Sequence, residues 1–127
     1  MRTAAALIAL AALGGVTLFR AAGGGAAAST RGAAARAPVT IKMGEYFFKP
    51  RRVTVHVGQV VRFVNVGKIE HTVADTNAKG AIRSRLIKPR PLAHGDVQKV
   101  RFHQRGLVRY LCTFHPTLMK GRILVIR

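Results

Sequence analysis

The sequence predicts an all-β domain, an antiparallel sandwich or barrel over residues 38–127, behind an N-terminal segment of different character. Two observations carry this. Short segments rich in β-branched residues alternate apolar and polar side chains, the two-residue period of a half-buried strand. Glycine-bearing turns separate them at short, regular spacing, as in sandwiches and barrels. At 127 residues the chain holds one domain at most, with appendages.

The elements follow in order. "MRTAAALIALAALGGVTLF" opens on one positive charge, Arg2, and continues as an apolar run from Ala4 to Phe19. Small residues follow, with small-x-small cleavage patterns at Ala26–Ser29 and at Ala33-x-Ala35. This reads as a secretory signal peptide over residues 1–28, or as an uncleaved membrane anchor. The run is slightly short of the roughly 18–20 apolar residues that span a bilayer. No cysteine lies near a cleavage site, which argues against a lipid anchor. Residues 29–37 read as a flexible linker. The localisation expected is periplasmic or otherwise outside the cytoplasm.

Strands are then expected at "VTIKM" (39–43), "RVTVHV" (52–57) and "VVRFVNV" (60–66). Val53, Val55 and Val57 share a face in the second, and Val61, Phe63 and Asn65 in the third. "HTVA" (71–74) is a short strand. "VQKVRFH" (97–103) and "LVRYLC" (107–112) flank the turn Gln104-Arg105-Gly106, and "GRILVIR" (121–127) closes the chain. Residues 75–96, with Pro89 and Pro91, read mostly as a loop.

The charge is extreme: 22 Lys and Arg stand against Glu45, Glu70, Asp75 and Asp96. Such a surface attracts acidic partners or anionic membranes. Nucleic acid is set aside as a partner, because the basic residues are spread along the whole domain and an export signal removes the chain from cytoplasmic nucleic acid. No glycine-rich phosphate loop, nucleophile elbow or paired-carboxylate site is present, and four acids supply general acid/base chemistry poorly.

Chemistry concentrates in "YLCTFHPTLMKG". Cys112 is the single cysteine, so no internal disulfide can support this small core. A metal would use the thiol and add the missing stability. His115 follows three residues later and Met119 four after that. Thiolate and thioether with imidazole select copper. One more histidine would complete a trigonal His₂Cys set with a weak axial methionine. Of His56, His71, His94 and His103, His71 fits best, at a loop–strand junction at one end of the sandwich. His56 sits mid-strand at opposite parity to the valines and reads as a solvated or edge residue. His94 reads as an exposed loop residue, and His103 lies at the far end of a hairpin from Cys112.

Together, "FFKPRRVTVHVGQVVRFVN" (47–65), "EHTV" (70–73) and "YLCTFHPTLMKGRILV" (110–125) resemble the cupredoxins, the small blue copper proteins, in particular the amicyanin and plastocyanin branches. The resemblance implies a Greek-key β-sandwich and one copper ion cycling between Cu(I) and Cu(II). It implies His71, Cys112 and His115 as strong ligands and Met119 as the weak axial one. Three residues separate His115 from Met119, where the amicyanin-like pattern has two and the plastocyanin-like four. By the same resemblance, the backbone N–H of Thr72 reaches the Cys112 sulfur and His115 presents its edge through an apolar patch. Phe114 and Pro116 flank His115 and are expected to keep water from the metal.

The implied function is single-electron transfer by a monomeric, non-enzymatic carrier. Its expected partner is an acidic redox protein, a cytochrome or oxidase. The alternative is a periplasmic copper storage or delivery protein with the same ligands. A third class is a basic module for anionic surfaces or nucleic acid in which the copper motif has decayed. A binuclear copper centre is disfavoured, since it needs a second cysteine.

Overall fold

The computed structural model describes residues 35–127. The signal or anchor expected over residues 1–28 lies outside the described residues, as does most of the linker. Eight strands run in chain order: β1 (Val39–Gly44), β2 (Phe47–Lys49), β3 (Arg52–His56), β4 (Val60–Asn65), β5 (Ala74–Thr76), β6 (Val97–Arg101), β7 (Gly106–Leu111) and β8 (Lys120–Ile126). They form two four-stranded sheets, ordered β2-β1-β4-β6 and β3-β8-β7-β5. The all-β sandwich expected from the strand periodicity is present, with no helix among the described residues.

Alternation builds the layers. Ile41 and Met43 of β1 and Val61 and Phe63 of β4 face inward from the first sheet. Val55, Val108, Tyr110, Ile123 and Val125 face them from the second. An aromatic knot ties the two together. Tyr110 meets Phe48 and Phe63 edge-on, with ring centroids 4.9 and 5.3 Å away. Such T-shaped pairs add to the stabilisation from area burial.

Four of the six strand pairings are antiparallel, while β1 with β4 and β3 with β8 run parallel. These parallel pairs come from connections that cross between the sheets, which local periodicity does not record. Phe47–Lys49 forms a strand where none is expected, because three residues are too few to show a period. Val57 differs too. Its strand ends at His56, and Val57 lies exposed beside the turn at Gly58, whose positive φ of 81° suits glycine. His71 joins Leu92 in an isolated bridge, and regular pairing starts only at Ala74. The 77–96 segment is mostly loop but not mere surface, since Ile87 and Leu92 are fully buried.

Topology brings three connections to one end of the sandwich. Parallel β1 and β4 end side by side, with Met43 level with Asn65. The β1–β2 turn therefore lies against the 66–71 loop. The β7–β8 connection, residues 112–119, closes over the same end.

Candidate metal centre

Cys112 follows β7 directly, and a set of backbone hydrogen bonds folds the next residues into a closed loop. The Cys112 N–H donates to the Met119 carbonyl (3.0 Å) and the His115 N–H to the Cys112 carbonyl (3.3 Å). The N–H groups of Leu118 and Met119 both donate to the His115 carbonyl, at 3.2 and 3.0 Å. A thiol, an imidazole and a thioether thus come from one short ring of chain. Met119 is fully buried, its backbone tied to that of Cys112.

His71 arrives on the segment between β4 and β5. Its backbone pairs with Leu92 in both directions, at 3.1 and 2.9 Å. Asn65 fixes the loop that carries it. The buried Asn65 amide donates to the carbonyls of Ile69 (2.8 Å) and Leu92 (2.7 Å), and its oxygen accepts from the Gly67 N–H (2.8 Å). Asn65 shares the inward face with Val61 and Phe63, as its parity predicts, and there it replaces backbone pairing the loop cannot make.

The two halves meet around sulfur. Cys112 Sγ lies 3.9 Å from His71 Nδ1 and 3.8 Å from His115 Nδ1, and the three donor atoms fall within 4.8 Å of one another. Cys112 and His71 are fully buried and His115 is half-buried. Metal bonds of about 2.0–2.1 Å to imidazole nitrogen and about 2.3 Å to thiolate sulfur would set these atoms roughly 3.8 Å apart in a trigonal plane. The spacing fits one ion. A soft thiolate with two imidazoles and a neighbouring thioether fits copper.

Around this set the protein supplies hydrogen bonds. The Thr72 N–H points at Cys112 Sγ from 3.4 Å, where the resemblance implies it. The Thr72 hydroxyl is 3.7 Å from the same sulfur, accepts from the Thr113 N–H (2.8 Å) and lies 2.7 Å from the Thr113 hydroxyl. It staples the His71 loop to the cysteine loop.

Two residues of the β1–β2 turn complete the surroundings, and neither stands out in the sequence. Glu45 Oε1 lies 3.2 Å from His71 Nε2 and accepts the N–H groups of Lys68 (2.7 Å) and Ile69 (2.9 Å). The Ile69 N–H holds the Glu45 carboxyl below its ordinary value, with smaller help from His71 and the Lys68 N–H and against partial desolvation. An ionised Glu45 accepts a hydrogen bond from the Nε2–H of His71 and so leaves Nδ1, which faces the sulfur, free as a ligand atom. Tyr46 packs its ring on His115, with centroids 4.6 Å apart. Tyr46 and Phe114, which flanks His115 in sequence, are both about half exposed. Glu45 is 26 residues from His71, and only the parallel pairing of β1 with β4 brings them together.

The other histidines fall where their positions suggest. His56 is on β3, an edge strand, and His103 lies exposed beyond β6. His94 is exposed yet bonded through Nδ1 to the Gly67 carbonyl at 2.8 Å.

Comparison with known proteins places this geometry in a family. Residues 35–126 match the model for copper binding proteins of the plastocyanin/azurin family. The chain belongs to that family. Among solved structures, this cupredoxin is similar to a purple cupredoxin from Nitrosopumilus maritimus, at 26% identity and a TM-score of 0.63 over 72% of this chain and 100% of the other. It shares its fold with plastocyanin from Dryopteris crassirhizoma, at 22% identity and a TM-score of 0.59 over 69% of this chain and 100% of the other. It does so too with amicyanin from Paracoccus versutus, at 22% identity and a TM-score of 0.60 over 70% and 81%. A sequence comparison with curated proteins returns no match.

Proposed function

We propose that this cupredoxin is a single-electron carrier with one copper ion held by His71, Cys112 and His115 and, weakly, by Met119. The observation that carries the reading is the buried Cys112 sulfur, set between two imidazole Nδ1 atoms at 3.8 and 3.9 Å and already met by the Thr72 N–H. Bound there, copper supplies a one-electron Cu(I)/Cu(II) couple. The chain's contribution is rigidity. Glu45 orients His71, the closed 112–119 loop fixes Cys112 and His115, and the Thr72–Thr113 pair joins the two halves. Ligands held this firmly move little between oxidation states, so each transfer requires little reorganisation.

His115 is the one member of the trio with solvent exposure, and exposed Phe114 and Leu118 surround it. An electron enters or leaves there most directly. The basic surface would steer an acidic cytochrome or oxidase towards this end, faster at low salt. Export through residues 1–28 would place the exchange outside the cytoplasm. Two fully buried ligands argue for retention of the ion rather than for the exchange that a storage or delivery protein needs.

The test is the visible absorption and electron-spin-resonance spectrum of the copper-loaded protein. An intense thiolate-to-copper band is expected, lost in Cys112→Ala. Met119→Ala should keep copper while shifting colour and potential. A pale spectrum from nitrogen and oxygen ligation alone, or colour retained without the cysteine, would end the proposal.

A further inference from the structure

The outer face of the second sheet carries a row of like charges. Arg52 of β3 is level with Arg122 of β8, and Arg122 is level with Arg109 of β7. Their neighbours Val55, Ile123, Val108 and Tyr110 face the core, so all three arginines project outward, and all three are exposed. Neighbouring strands lie only about 4.8 Å apart, and like charges directly opposite each other destabilise a sheet.

This row floors a cleft of about 490 Å³ walled by the 78–80 turn and by Pro116 and Thr117 of the cysteine loop. Arg51, Lys79 and Lys120 line it as well, and no acidic residue does. The four acids of the chain are engaged or placed elsewhere. Glu45 serves His71, Asp75 accepts the N–H groups of Leu86 and Ile87, Asp96 accepts that of Ala93, and Glu70 lies on the 66–71 loop.

Beneath the row, Tyr110 turns its ring to the core, and its buried hydroxyl has no hydrogen-bond partner among the described residues. Burial pushes the phenol's ionisation well above its ordinary value, although Arg51 pulls the other way.

We propose that this arginine-lined cleft is a binding site for a multivalent oxyanion of the oligophosphate class. Four of its six cations are arginines, whose planar forks take phosphate oxygens in pairs. Its volume lies in the range of small-ligand sites, roughly 300–1,000 Å³. A bound oligophosphate neutralises the Arg52–Arg122–Arg109 row. Through Lys120, Pro116 and Thr117 it also touches the loop that carries Cys112 and His115. The site is separate from the copper ligands, so it stands whether or not the electron-transfer reading does.

The experiment is calorimetric titration of the full chain with sodium tripolyphosphate at about 0.15 M salt. Saturable one-to-one binding is expected. Arg109→Ser with Arg122→Ser should weaken it about tenfold or more, the scale of a lost charge-assisted pair. Lys42→Ser with Lys99→Ser, which removes the same charge from exposed positions of the first sheet, should leave it nearly unchanged. Equal loss in both double variants, or binding that never saturates, means attraction to net charge alone and overturns the proposal. So does tighter binding of polyglutamate than of tripolyphosphate at the same arginines, which would mark a protein-docking face. Circular dichroism reports whether the arginine variant folds. If it does not, Arg122→Lys decides, because it keeps the charge and loses the fork. Weakened binding supports the site, and unchanged affinity overturns it.

Discussion

Glu45 shows how much of the metal centre depends on a residue that binds no metal. Its carboxylate collects two loop N–H groups and the far nitrogen of His71, so it sets both the path of the 66–71 loop and the rotation of the ring. Glu45→Ala should lower copper affinity about 10- to 100-fold, the usual consequence of losing a partner that orients a ligand. Glu45→Gln, which can still accept from Lys68 and Ile69, should recover part of it. Competition with a chelator of known affinity measures both variants. Equal affinity for wild type and Glu45→Ala would show that the Leu92 bridge alone holds His71. Thr72 acts on the sulfur in two ways. Its N–H survives any substitution other than proline, while its hydroxyl also satisfies the Thr113 N–H. Thr72→Val should therefore keep copper bound, shift the thiolate absorption band and cost about 1–3 kcal/mol through the orphaned Thr113 donor. Urea unfolding and the visible spectrum read the two effects separately.

Among the elements, the β7–β8 hairpin carries most of the site, and its packing sets a narrow tolerance. Tyr110 of β7 is level with Gly121 of β8, and its ring occupies the space a side chain at Gly121 would need. A Cβ there would collide with the ring and hydroxyl of Tyr110. Gly121→Ala should destabilise the protein by about 1–3 kcal/mol, as overpacked cores do. For a domain this size that corresponds to a fall in melting temperature of about 4–8 °C per kcal/mol. Because Tyr110 precedes Cys112 by two residues, the copper spectrum should broaden or shift as well. A melting temperature unchanged by the substitution would mean that the ring moves aside freely.

For the molecule as a whole, the dominant quantity is charge. Three basic residues, Arg2, Arg20 and Arg31, precede residue 35, which leaves nineteen against four acids in the described part. That imbalance repels itself in the compact state. Raising salt from about 0.01 to 0.15 M shortens the screening length from about 30 to 8 Å, so the melting temperature should rise by several degrees over that range. Differential scanning calorimetry at a series of sodium chloride concentrations tests it. A flat profile would mean that the cations are spaced widely enough to ignore one another. Under the proposed function the same screening should slow exchange with an acidic partner, and stability and exchange rate would then move in opposite directions as salt rises.

The sequence alone determined the sandwich and the cluster of donors. Alternation of valines and isoleucines is a local signal, and so is the Cys112-to-Met119 spacing, because those residues lie on one short loop. His71 was legible from its loop–strand junction together with the family resemblance. The parallel β1–β4 and β3–β8 pairings were not legible, because they depend on connections between sheets. For the same reason Glu45, Tyr46 and the Arg52–Arg122–Arg109 row emerged only in three dimensions. Each is made of residues distant in the chain whose meeting is fixed by strand order and register. Periodicity tells a strand which face to bury, but only tertiary packing decides which other strand it lies beside, and that choice places a carboxylate on His71 and three arginines in a row.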